Sequence, residues 1–335
     1  MIRGTHMHGK TNQHIIPDRA AALFAILCTA AYEYGLRIWM LAVIAAAVSL
    51  LTERVCLSVR KKQFHRQNTD AAVSGIVLLL LLPPTVSVSL LIMSCIFAII
   101  IGRQLFGGKE NPVIPSAAAG YCFAFLNQRA QVTLFPAEKI RLPLLNPDTD
   151  TLIGGISDAF NKTGAFTAKT TDWLLGLPNQ PIGTCSAVML AVAALVLICR
   201  RSASGWVLLP MLFFTVSGNM LFDNMRHPMQ AAVGTLLTNQ FFFAAVFLYA
   251  DPDYAPPTAA GILYGILCAG VNILFTRVLY VADAPVFLVI LMTPAALWLR
   301  YMMEQEDAPA EQKGGGSSEE KKRKKIRHVP KPDSP

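Results

Sequence analysis

Ala71-Ala72-Val73-Ser74-Gly75-Ile76-Val77-Leu78-Leu79-Leu80-Leu81-Leu82-Pro83-Pro84-Thr85-Val86-Ser87-Val88-Ser89-Leu90-Leu91-Ile92-Met93-Ser94-Cys95-Ile96-Phe97-Ala98-Ile99-Ile100-Ile101 is a run of 31 residues without one charged side chain. Roughly 20 apolar residues suffice to cross the hydrocarbon of a bilayer, so this stretch belongs in lipid. Pro83-Pro84 divides it. Each proline removes a backbone donor and crowds the preceding turn, so a helix ends there. The run therefore reads as two short spans, 71–82 and 86–101, meeting at a break.

The same texture recurs on both sides. Upstream lie apolar stretches 20–34 and 38–51, with Glu33 and Arg37 between them. A charge at mid-bilayer costs roughly 2.5–3.5 kcal/mol on insertion scales, so this pair belongs at a turn. Downstream come a fifth span, 113–126, a polar segment, 127–181, and spans 182–199, 206–222, 232–250, 258–279 and 285–301. The expected fold class is an all-α integral membrane protein of about ten transmembrane helices, with an extracytoplasmic loop between spans five and six. The expected domains are a cytoplasmic N-terminal segment (1–19), a polytopic membrane domain (20–301) and a disordered basic cytoplasmic tail (302–335). The whole composition agrees: 53% hydrophobic, 15% charged and a mean hydropathy of +0.45 exclude a water-soluble domain of this length.

The formal charge of +8 does not point to nucleic acid, because the basic residues sit in short loops and in the tail. Ten spans from a cytoplasmic N-terminus put Arg54, Arg60, Lys61, Lys62, Arg103, Arg200, Arg201 and the run Lys321-Lys322-Arg323-Lys324-Lys325 on one side. That side is cytoplasmic by the positive-inside rule, and segment 127–181 falls outside. The seven cysteines include no C-x-x-C pair and read as small buried hydrophobes, with no iron–sulfur cluster expected. All six histidines fall in tails or loops, and Asp223, Asp251 and Asp283 fall at span ends. Neither a haem ligand pair nor a mid-span carboxylate is expected.

Two stretches, 102–120 and 251–261, concentrate Gly, Pro and Asn where one helix should finish and another start. Backbone amides at such a junction can face a phosphate or an isoalloxazine; small residues there can equally serve close packing. The two stretches share a Pro-[Ser/Thr]-Ala-Ala pattern, at Pro115-Ser116-Ala117-Ala118 and Pro257-Thr258-Ala259-Ala260, which hints at an internal duplication.

Thr69-Asp70 with Gly75-Ile76-Val77-Leu78 and Pro83-Pro84, then Arg103-Gln104-Leu105-Phe106-Gly107-Gly108 with Asn111-Pro112 and Pro115, then Asp251-Pro252, make the chain resemble a known family. It is the RnfD/NqrB family, whose members are membrane components of the Rnf electron-transport complex and of the related sodium-pumping NADH:quinone oxidoreductase. The resemblance implies a flavoprotein subunit in a bacterial cytoplasmic (inner) membrane, multi-pass, with both termini cytoplasmic. It would relay electrons within an ion-coupled complex and complete no reaction alone. Other membrane and flavin-bearing subunits, the lipid bilayer and a flavin transferase are the implied partners. The family carries FMN on a threonine of an outer loop, and the matching segment here is Thr163-Gly164-Ala165-Phe166-Thr167. Phe166 stands at the acceptor position, so Thr167, one residue on, is the preferred attachment and Thr163 the second candidate. A second, non-covalent flavin is a further family expectation. The departures also leave open a transporter or channel, or a cofactor-free scaffold subunit, that keeps the fold and lacks the flavin. A second departure is Gly183-Thr184-Cys185-Ser186, where the family has an acid after the glycine.

Overall fold

The computed structural model describes residues 14–63, 66–108, 112–136, 142–144, 152–157, 179–222, 234 and 236–306. Helices α1 (Ile15–Tyr34) and α2 (Arg37–Val59) form an antiparallel pair. The turn between them needs Gly35, whose φ of +86° suits a residue without a Cβ. Helix α3 (Asp70–Leu81) stops at the Pro83-Pro84 break as the sequence predicts. Helix α4 (Val88–Phe97) starts beyond it, capped by Ser87, whose Oγ accepts from the Leu90 amide at 3.4 Å. It runs on as a π-helical segment, Ala98–Gln104.

Helix α5 (Ser116–Asn127) follows, then a short α6 (Arg129–Thr133) and an antiparallel two-stranded ladder. In that ladder β1 (Leu134–Pro136) pairs with β2 (Leu152–Gly154), Phe135 facing Ile153. The chain returns through a 3₁₀ turn (Ile182–Thr184) to α7 (Ala187–Cys199) and α8 (Gly205–Phe222). Helix α9 (Phe241–Ala244) continues as a second π segment, Ala245–Tyr249. Helix α10 (Thr258–Ile273) ends in a third, Leu274–Val278, and α11 (Ala284–Glu306) completes the described fold.

Among the described residues, four helices are long and apolar enough to cross a membrane: Ile15–Tyr34, Arg37–Val59, Ala259–Val278 and Ala284–Met303. Asp70–Leu81, Val88–Gln104, Ala187–Cys199 and Gly205–Met220 are shorter apolar helices. This is the architecture of a helical membrane protein. A helix of 12 residues such as α3 rises only about 18 Å, short of the roughly 30 Å hydrocarbon core. Such a helix must end inside protein, and Leu78, Leu79, Leu80, Leu81 and Leu82 are all buried. Close packing on α2 is set by Gly75, since a Cβ there would meet the Ala45 carbonyl oxygen at 2.7 Å. Outward faces carry Val43, Leu195, Phe213, Leu263 and Trp298, the exposed apolar surface that a lipid-facing helix presents.

The elements meet at two polar ends. One, the Arg37 end, gathers the α1–α2 turn, the Pro83-Pro84 break, residues 142–144 and the 3₁₀ turn at Ile182, whose amide donates to the Leu82 carbonyl at 3.1 Å. The other, the Asp70 end, gathers the starts of α1, α3 and α5, the last turns of α2, the first π segment and the link after the second.

Candidate functional site

At the Asp70 end the chain buries a set of charges. The first π segment turns Arg103 inward, where Nη1 donates to Asp70 Oδ2 at 3.4 Å. Its Nε stands 3.4 Å from Glu53 Oε1, an ion pair by distance without hydrogen-bond alignment. Glu53 accepts from Gln104 Nε2 at 2.6 Å and from Asn68 Nδ2 at 3.1 Å, so residues of the π segment and of the turn before α3 both hold its charge. Beside this group Arg19 pairs with Asp251 at 2.9 Å and donates to the Phe247 carbonyl at 3.3 Å. Asp18, one residue before, accepts from Ser202 at 2.8 Å and pairs with the exposed Arg200 at 3.2 Å.

These groups surround a cavity of about 50 Å³ lined by Arg19, Asp70, Arg103, Asp251, Asp253 and Tyr254 among others. Two arginines against three aspartates leave it net negative, before Glu53 behind Arg103 is added. Burial pushes the Asp251 carboxyl up to about 6; Arg19 opposes the rise, and Asp253 and Asp70 add to it. The volume takes a few waters, well under the roughly 300 Å³ at which ligand pockets begin.

Both stretches singled out by sequence feed this cavity, and by the same device. A π segment precedes each, a loop follows, and the next helix opens on Pro-[Ser/Thr]-Ala-Ala. Π-helical insertions are concentrated at functional sites because they turn a side chain off the regular helical face. Gly102 permits the junction: a Cβ there would meet Ser116 Cα at 2.6 Å. Gly120 likewise faces Leu78 Cδ2 at 2.7 Å and Ala98 Cβ at 2.8 Å. The small residues of 102–120 therefore serve close packing, one of the two readings the sequence allowed.

The Arg37 end is built differently. Arg37 stands at the turn between α1 and α2, where the sequence places it, and is fully buried there. Its guanidinium donates to four carbonyls: Pro84 at 3.1 Å, Val86 at 2.8 Å, Pro143 at 3.2 Å and Leu144 at 2.7 Å. The proline break strands carbonyls that a continuous helix would have satisfied, and the arginine fills that need. Nearby, Gln240 donates to Tyr121 Oη at 3.2 Å and to Asp283 at 3.4 Å. Asn239 and Gln240 both hold positive φ, 57° and 55°, an unusual pair for residues with side chains.

The predicted flavin residues Thr163, Gly164, Ala165 and Thr167 lie outside the described residues, as does most of the basic tail. Their described flanks come together at the Arg37 end: the Asn239 amide donates to Ser157 Oγ at 2.7 Å, and Gln180 Nε2 to the Leu237 carbonyl at 3.4 Å. Glu53, Asp18 and Arg19 escaped the sequence reading; Glu53 lies in the last two turns of α2, toward the end of that span. Their signal was the apolar spacing beyond the assigned ends, with Ile15 and Ile16 before Asp18 and Leu57 after Glu53.

Fold and cluster together define a polytopic helical membrane protein whose broken spans converge on buried ion pairs. The chain belongs to the family described as NQR2, RnfD, RnfE, which matches residues 2–308. It is 29% identical to the D component of the Na(+)-translocating ferredoxin:NAD(+) oxidoreductase complex of Acetobacterium woodii, over 80% of each chain. It is 25% identical to the D component of an ion-translocating oxidoreductase complex of Haemophilus influenzae, over 80% of this chain and 86% of that one. The B component of the Na(+)-translocating NADH-quinone reductase of Chromohalobacter salexigens is 24% identical over 64% of this chain and 53% of its own.

Proposed function

We propose that this chain is the RnfD-type membrane subunit of an Rnf-like, ion-coupled electron-transport complex and serves there as a flavin-bearing relay. The observation that carries the reading is the family match over nearly the whole membrane domain, with relatives named as components of ion-translocating redox complexes. In this reading ten crossings lie in a bacterial cytoplasmic membrane, with both termini cytoplasmic. The Asp70 end then faces the cytoplasm and the Arg37 end the outside. Arg54, Arg60, Lys61, Lys62, Arg200 and Arg201 support that orientation, because all lie in or just beyond the last turns of helices that end beside the buried charges.

FMN attached at Thr167, or at Thr163, would supply the redox chemistry. The chain's own residues supply position. Arg37 ties the proline break to residues 142–144, Asn239 holds Ser157 and Gln180 donates to the Leu237 carbonyl, so both sides of the candidate loop are fastened to the membrane domain. A second, non-covalent flavin belongs to the same proposal. The implied partners are the other membrane and flavin-bearing subunits and a flavin transferase.

The experiment is in-gel flavin fluorescence of the denatured chain, co-expressed with a flavin transferase, for the wild type, Thr163→Ala and Thr167→Ala. Loss of signal in Thr167→Ala alone is the expected outcome. A dark wild type would remove covalent FMN. That result would favour the transporter or cofactor-free scaffold reading, for which Phe166 at the acceptor position already speaks.

A further inference from the structure

Between α8 and α10 lies a second cavity, of about 10 Å³, lined by Thr215, Asn219, Asn239, Phe241, Asn272, Thr276 and Arg277. All but Phe241 are polar, in a region whose surroundings are apolar core. Thr215 Oγ1 and Asn272 Oδ1 each lack a hydrogen-bond partner, on residues only 3% and 1% exposed. Thr215 is the more telling. Thr238, Thr276 and Thr293 each donate to the carbonyl four residues back, at 2.7, 2.7 and 2.6 Å. That local bond is the default for a threonine on a helix in an apolar setting. Thr215 does not make it, and its hydroxyl is left to the cavity.

The chemistry of the lining selects the occupant. A volume of about 10 Å³ is close to one water and excludes any organic ligand. Asn272 Oδ1 is an acceptor and requires a donor, which an anion cannot be; its own Nδ2 is already committed to the Cys268 carbonyl at 2.8 Å. Arg277, which lines the same space and donates from Nε to Asn219 Oδ1 at 2.7 Å, opposes a cation. A neutral molecule of this size that both donates and accepts is water. We propose that this cavity holds one resident water bridging Thr215 on α8 to Asn272 on α10.

That water closes a gap in a hydrogen-bonded chain. On one side Arg277 bonds Asn219, whose Nδ2 donates to the Thr215 carbonyl at 2.9 Å. On the other, Asn272 Nδ2 reaches Tyr249 Oη at 3.4 Å, and Tyr249 donates to the Pro285 carbonyl at 2.9 Å. With the water in place the chain links α8, the third π segment, α10, the second π segment and α11. Tyr249 ends the second π segment, two residues before Asp251, so the same chain fixes the segment that delivers Asp251 to the charged cavity.

Hydroxyl-radical footprinting of the full chain in lipid nanodiscs, read by mass spectrometry, tests this directly, since radicals formed from a bound water oxidise the aromatic ring beside it. Phe241 lines the cavity and Phe243 does not, although the two are 2% and 0% exposed. Phe241 should be oxidised several-fold faster than Phe243 in the wild type, and Thr215→Val with Asn272→Leu should bring it down to the Phe243 rate. Equal, negligible rates in the wild type would overturn the proposal, and so would a Phe241 excess that survives the double substitution. A bridging water also makes the two single substitutions non-additive in melting temperature; strict additivity counts against the bridge.

Discussion

Arg103 and Arg37 are both buried guanidiniums, at opposite ends of the same bundle, and they are stabilised by different chemistry. Arg103 sits among the carboxylates of Glu53 and Asp70, with Arg19 and Asp251 alongside. Arg37 meets only backbone oxygen in its four hydrogen bonds. A carboxylate can be protonated and so lose its charge, whereas a backbone carbonyl has no charge to lose. The Asp70 end is therefore an arrangement that can change its charge, and the Arg37 end is one that can only hold or come apart.

The contrast is most exposed to test at Arg37. Arg37→Ala strands the buried carbonyls of Pro84 and Val86, each worth about 1–3 kcal/mol when left unsatisfied, and returns the exposed Pro143 and Leu144 carbonyls to water, so a loss of about 2–5 kcal/mol is expected. Thermal melting of the purified chain in nanodiscs should show it as failure to fold or as a fall of many degrees. Arg37→Lys keeps the charge but not the planar fork and should fall between. A near-wild-type melt for Arg37→Ala would mean the carbonyls find water instead, and the two ends would no longer differ in kind.

Arg103→Ala should cost about 3–5 kcal/mol, because it leaves Glu53 and Asp70 buried without their cation. Here compensation is available: adding Glu53→Gln and Asp70→Asn removes the stranded charges, and most of the lost melting temperature should return. No comparable second-site change exists for Arg37, whose partners are main chain. If the triple variant melts as low as Arg103→Ala, the Asp70 end depends on shape rather than on charge balance.

Much of this was legible in the sequence, for physical reasons that also mark where it stopped. The Pro83-Pro84 break was readable because proline acts locally on the backbone, and the turn near Gly35 because Glu33 and Arg37 flank it. The helices were drawn too short: α1 begins at Ile15 rather than 20, and α2 runs to Val59 rather than 51. The charges at Asp18, Arg19 and Glu53 caused those errors, since an isolated charge is costly in lipid. Their partners Arg200, Asp251 and Arg103 lie 50 to more than 200 positions away in sequence, where no local pattern reveals them. The β1–β2 ladder has three residues per strand, too few for alternation to register. The described part of the span expected over 232–250 is helical at 234 and 236–237, breaks where Asn239 and Gln240 take positive φ, and resumes at Phe241.

The smallest effect is the pH dependence that the Asp70 end should show and the Arg37 end should not. Asp251 titrates near 6 in the folded chain, against an ordinary value of 3.8. As pH rises from about 4 to 6 the unfolded chain therefore loses this proton first, and ionisation favours the unfolded state. The contribution of Asp251 falls across that window, by at most about 3 kcal/mol for a shift of this size, and is constant above it. An asparagine side chain cannot ionise, so the melting temperature of Asp251→Asn minus that of the wild type should rise between pH 4 and 6 and then level off. A difference that falls instead would show that pairing with Arg19 outweighs burial. In that case the Asp70 end would hold its charge as firmly as the carbonyls hold Arg37.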